Sequence, residues 1–304
     1  MSAVPASGAA AGLTPPGVRD GVEMLALAAL WGSVFLMIRL AVADFGVWSL
    51  AALRLGLGAI CLLPVLLWRA QLRSALRSHW REISFIGVLN MALPALLFTF
   101  AAQHLTSGLI AILNSTSPLF AAAIGALWLH TALSRWQLAG LGLGFAGVVA
   151  LSLDGAGLRG EHAALAIAAC LGAALCYGIS VNYLQRHMKQ VPSMAVIIGS
   201  LVVGTLLTLA PGVLNWPAAD KSLQAWSAAL FLGVAATALG FVLYFRLIAN
   251  IGATRAIAVT FLMPVFAMFW GWLFLAEPVN GAMLLCALTI VSGTALSTGL
   301  LRPF

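Results

Sequence analysis

Shifting the chain by 146 residues lays one long apolar stretch, 105–129 (LTSGLIAILNSTSPLFAAAIGALWL), onto another, 251–275 (IGATRAIAVTFLMPVFAMFWGWLFL). In that register Pro118 falls on Pro264, Phe120 on Phe266, Ala121 on Ala267, Gly125 on Gly271 and Leu129 on Leu275. Both stretches are long enough to cross a bilayer, for which about 20 apolar residues suffice. Each carries a proline in mid-span, which frees a backbone carbonyl and bends a helix. Lipid cannot satisfy that carbonyl, so such bends sit against other helices or a wet cavity. A single proline is ordinary in a membrane helix. A matched pair in a duplicated chain points to a central binding site and marks Pro118 and Pro264 as hinge candidates.

The register extends to Trp31-Gly32 on Tyr177-Gly178, Gly87 on Gly233 and Gly147 on Gly293. Ten apolar spans can be drawn, at about 22–41, 47–68, 83–102, 106–129, 136–153, 163–185, 193–214, 225–247, 253–275 and 279–300. Of the 304 residues, 62% are hydrophobic and 8% charged, against about 25% charged in a soluble domain. The expectation is an all-α polytopic membrane protein with ten transmembrane helices. It would comprise a disordered cytoplasmic tail (1–20), a five-helix repeat (21–155) and a second one (156–304). Five is odd, so the second copy enters the membrane from the opposite side, giving two inverted repeats around a central cavity.

Lysine and arginine orient the spans. Ten of them (Arg19, Arg69, Arg73, Arg77, Arg81, Arg135, Arg186, Lys189, Arg255, Arg302) fall on one side, and only Arg159 and Lys221 on the other. This puts both termini in the cytoplasm and accounts for the net charge of +7 without nucleic acid. In 69–82, arginines recur every four residues; on one helix they would form a stripe along anionic head groups, or serve only to set topology.

Several stretches carry a family resemblance: LAALWGSVFLMIRL (27–40), LAALRLGLGAICLLP (50–64), NSTSP (114–118) and AEPVNGAMLLCALTIVSG (276–293). On these the chain, over about 22–300, resembles the drug/metabolite transporter superfamily, in its ten-helix branch of two EamA-type repeats. The resemblance implies a central cavity lined by spans 1, 3, 4, 6, 8 and 9, and a bacterial inner-membrane exporter of amino acids or other metabolites, with aromatic amino-acid exporters as the relatives to name first. Repeats of this family often end their fourth helix with a Glu. Glu277 fits that pattern, whereas the first repeat has Thr131.

Enzymatic motifs are missing. GLGFAG (142–147) matches a dinucleotide fingerprint but lies inside an apolar span with no strand before it, so helix packing through Gly140 and Gly144 is the better account. His79, His104, His130, His162 and His187 fall at span ends or in loops, and Cys61, Cys170, Cys176 and Cys286 lie scattered in apolar runs. No metal, cofactor or catalytic residue is expected. The expected partners are the lipid bilayer and a small-molecule substrate, with the chain a monomer or homodimer.

Cavity candidates are polar or aromatic residues at mid-depth: Trp31, Asn90, Asn114, Ser117, Tyr177, Asn182, Tyr244, Thr260 and Phe261. Polar side chains at such positions either line a cavity or bind helices together. Asn114 and Thr260 are equivalent under the shift, each one turn before its proline. Among intramembrane charges, Arg54 is expected to need an acidic partner, Glu277 or Asp44 being the choices. Arg246 is expected to snorkel from the cytoplasmic end of its span. The reading is a secondary transporter exporting small organic metabolites, amino acids foremost, by alternating access. Drug or nucleoside export and a channel or scaffold role are the alternatives.

Overall fold

Apolar side chains remove water from the backbone, and each segment then closes its N–H and C=O groups within itself, which only a helix does. The computed structural model describes residues 17–128, 133–154 and 161–298. Residues 1–16 of the expected tail, Thr131, Arg159 and Arg302 lie outside the described residues.

Helix α1 (Val18–Trp68) has 51 residues; unbroken, it would be about 75 Å long at 1.5 Å per residue. It is two rods, because Gly46 takes φ 71°, ψ 178°, a conformation that glycine adopts without steric cost. Helix α2 (Ala70–Ser78) buries only Leu72. It carries Arg73 and Arg77, but Arg69 caps it and Arg81 lies beyond the break at His79. The four arginines therefore do not share one helix, which corrects the single-stripe expectation.

The chain continues as α3 (Trp80–Ala101), α4 (Ser107–Trp128), α5 (Arg135–Asp154), α6 (Ala163–His187), α7 (Ser193–Leu214), α8 (Leu223–Ile251), α9 (Val259–Leu275) and α10 (Gly281–Ser297). Among the described residues each expected span overlaps helix, spans 1 and 2 being the rods of α1. Six elements (α1, α3, α4, α6, α7, α8) are long and apolar enough to cross a membrane, while α9 and α10 are shorter apolar helices.

The helix contacts recur under the 146-residue shift. A β-carbon built on Gly32 would lie 2.7 Å from Phe266 Cβ, and one on Gly178 2.9 Å from Phe120 Cβ. Gly87 approaches Ser200 and Val203, and Gly233 approaches Arg54 and Leu57. Gly58 meets Thr237, and Gly204 meets Met91. Gly144 meets Gly293, and Gly147 meets Ile290. The shift turns each contact into its partner. The π-helical segments Gly87–Ala92 in α3 and Phe231–Leu239 in α8 also overlap under it. Widened turns of this kind often mark functional sites.

The bundle has two unlike ends. One holds Ser107 bonded to Glu277, and the main core cluster includes Phe45, Leu50, Leu105, Leu109 and Leu113. Phe45 there meets Trp216 and Trp226 edge-to-face, at centroid distances of 5.6 and 5.0 Å. The other end carries the Glu23–Arg246 ion pair at 3.1 Å. It also carries a shallow depression lined by His79, Arg186, His187, Lys189, Gln190 and Val191. Arg246 is thus paired, where snorkelling alone was expected.

Candidate functional site

The aromatic candidates form two equivalent pairs. Trp31 of α1 lies against Tyr244 of α8 (5.1 Å between centroids), and Tyr177 of α6 against Phe98 of α3 (6.2 Å). The 146-residue shift carries Trp31 to Tyr177 and Phe98 to Tyr244. Trp31 Nε1 donates to the Ala236 carbonyl at 3.1 Å, inside the π segment of α8. The position equivalent to Ala236 is Asn90, which is half-buried in the π segment of α3. The surface depression lies elsewhere: His187 is ten residues beyond Tyr177 along α6, or about 15 Å.

The polar knot before Pro118 closes largely on itself. Ser115, Thr116 and Ser117 donate to the carbonyls of Ile112, Leu113 and Asn114 at 2.6, 2.6 and 2.7 Å. The last matters most, because a proline at 118 frees the carbonyl four residues earlier, and that is Asn114. The Ser117 hydroxyl satisfies it in place of the missing N–H. Asn114 Oδ1 itself is enclosed and has no hydrogen-bond partner among the described residues. In α9 the Thr260 hydroxyl donates back to Ile257 at 2.7 Å, and Phe261 is half-buried. Asn182 is 3% exposed and gives its amide to Ala121 at 2.8 Å and Gly178 at 2.9 Å. Its donors therefore join α6 to α4.

The charges are arranged differently from expectation. Glu277 follows α9 and is 3% exposed. It pairs with Arg39 of α1, not with Arg54. Its Oε2 also accepts from the Ser107 backbone N–H at 2.9 Å and hydroxyl at 2.6 Å. A carboxylate is favourable at this place, where the first N–H groups of α4 lack helical partners. The turn that brings it there is tight: Ala276 is left-handed (φ 49°), and Glu277 N–H bonds Gly271 O at 3.1 Å. Asp44, the other proposed partner of Arg54, accepts from Ser222 N and Oγ at 2.8 and 2.6 Å. Arg54 keeps neither acid, and its Nε is enclosed without a hydrogen-bond partner among the described residues. Ser200 Oγ, at the position equivalent to Arg54, is likewise enclosed and has none among them. Sequence reasoning missed the Arg39–Glu277–Ser107 cluster; the one available signal was an arginine inside span 1.

Comparison with known proteins matches the EamA-like transporter family to residues 21–153 and again to 164–299. The chain is 27% identical over 286 residues to YvbV, an uncharacterized transporter of Bacillus subtilis, covering 92% of each chain. It is 28% identical to YedA, an uncharacterized inner membrane transporter of Escherichia coli, covering 82% of this chain and 80% of the relative. A probable amino-acid metabolite efflux pump of Salmonella typhimurium is 27% identical over 90% of this chain and 93% of its own. A crystal structure superimposes with a TM-score of 0.64 over 93% of this chain and 97% of that one, at 20% identity, and supports the fold.

Proposed function

The chain belongs to the EamA-like transporter family, and from that premise we propose that it exports small organic metabolites, amino acids foremost, across the bacterial inner membrane by alternating access. The observation that carries this reading is the recurrence of helix contacts under one constant shift. This recurrence supports a chain of two like units, 21–155 and 156–304, packed face to face. With five spans in each unit, the second is inverted, and ten helices surround a midplane site. Rocking one unit against the other would then open either end in turn. The ten-to-two distribution of basic residues supports cytoplasmic termini, so the Glu277 end faces outward. The efflux pump and inner membrane transporter among the relatives support export and location.

Purified protein in liposomes should show saturable, ATP-independent flux of at least one solute from a panel of amino acids, nucleosides and amphiphilic drugs. Flux of an amino acid supports the reading. Flux that rises linearly with concentration would indicate a channel, and absence of flux across the panel would reject transport.

A further inference from the structure

We propose that Arg54 and Tyr177 form a subsite for the carboxylate of the transported solute, so that this carrier selects organic acids and amino acids by their anionic end. This rests on the transporter reading above and deepens it.

Arg54 lies eight residues past Gly46 in the second rod of α1, about 12 Å into the membrane at 1.5 Å per residue. A cation at that depth is costly and ordinarily finds a counter-charge. Among the described residues Arg54 has no ion pair and no hydrogen bond, and its Nε is enclosed. The acids able to neutralise it are engaged elsewhere, Glu277 with Arg39 and Ser107 and Asp44 with Ser222. Tyr177 of α6 lies within electrostatic reach of Arg54. Its phenol makes no hydrogen bond to a described residue, so it too has a donor to give.

The geometry around this pair is fixed. Gly233 of α8 lets the π segment approach the Arg54 carbonyl so closely that a β-carbon there would be 3.2 Å from it and 2.4 Å from Leu57 Cβ. The backbone that carries the guanidinium is therefore held closely against α8. Guanidinium suits a carboxylate because two parallel N–H groups meet its two oxygens. The Tyr177 hydroxyl can supply a further donor. The Tyr177–Phe98 pair offers an apolar surface beside it for the rest of the solute. The subsite is one-sided, since the 146-residue shift places Ser200 opposite Arg54. One solute with one anionic end fits such a site better than a dianion that needs both halves.

The test is thermal stabilisation of the detergent-purified full chain, with flux in liposomes, by amino acids each compared with its own amide and decarboxylated amine. At least one acid should stabilise and be transported, and its amide and amine should bind at least about tenfold more weakly, as expected for loss of charge-assisted hydrogen bonds. Arg54→Gln should abolish the difference between acid and amide, while Tyr177→Phe should narrow it. If Arg54→Gln does not fold, the wild-type series with Tyr177→Phe decides alone. Equal binding of acid and amide overturns the subsite, as does a panel in which only amines, neutral solutes, inorganic phosphate or chloride bind. Those outcomes leave transport itself standing, whereas absence of flux for every solute class rejects the transporter reading instead.

Discussion

Glu277 shows how much one side chain can hold when its surroundings are arranged for it. Its carboxylate binds α1 through Arg39 and α4 through Ser107, while its own backbone closes the end of α9. Replacing it by alanine takes the carboxylate away from Arg39 and from both Ser107 donors. Breaking a buried pair in this way costs about 3–5 kcal/mol. Glu277→Ala should therefore lower the melting temperature and the yield of folded protein markedly, and Glu277→Gln, which keeps an acceptor for Ser107, should lower them less. Equal melting of Glu277→Ala and wild type would show that the cluster contributes nothing. Arg54 sits at the opposite extreme: its removal strands no acid, so Arg54→Gln should melt near wild type even as it alters solute preference.

At the scale of the helix, the two prolines are alike in sequence but differently supported. The Pro118 bend carries its own substitute donor in Ser117, with a turn at Ser115–Thr116 separating the halves of α4. Around Pro264, α9 runs on as one helix. Pro118 sits in the first turn of the second half, where alanine is equally tolerated, and alanine at 264 restores a missing helix bond, so Pro118→Ala and Pro264→Ala should both fold. If the bends are gating hinges, each variant should slow transport and shift modification of cysteines at Asn114 and Thr260 toward opposite sides of the membrane. Normal transport by both would reduce the prolines to packing features.

The helices were legible because apolar runs bounded by arginine and glycine leave few other choices. The pairing of Arg39 with Glu277 was not, because it joins residues 238 apart and depends on how α1 and α9 pack. Likewise Arg54 drew notice by its depth, but only the packed structure shows that both expected acids are occupied. Ser117 was read as a cavity residue on composition, yet its hydroxyl serves the backbone.

For the whole molecule, the repeat was legible from identities in spans 1, 3, 4 and 5 and their partners. The contacts extend it to span 2, where Gly58 and Gly204, and Arg54 and Ser200, hold equivalent places. The Gly58–Gly204 identity was a readable signal that the apolar background obscured. The five-plus-five arrangement predicts opposite exposure for two loops. In intact cells an impermeant thiol reagent should reach a cysteine at Ala219 but not one at Arg73, and permeabilised cells should label both. Labelling of both in intact cells would reject the inverted arrangement.

The 146-residue shift does not repeat the cluster at Glu277. Under the shift Arg39 becomes Gln185 and Glu277 becomes Thr131. A scaffold built from two inverted copies would, with identical decoration, face either way with equal ease when empty. A buried pair at one mouth, against the more exposed Glu23–Arg246 pair at the other, removes that indifference. A difference of about 3 kcal/mol between two states is a population ratio of more than a hundred, so under the proposed orientation and alternating access the empty carrier should wait with its cytoplasmic mouth available and its outer mouth shut. Direction of readiness in this architecture is then set by a few side chains rather than by the fold. Moving the charged pair from one mouth to the other would turn the same protein around without changing a single helix.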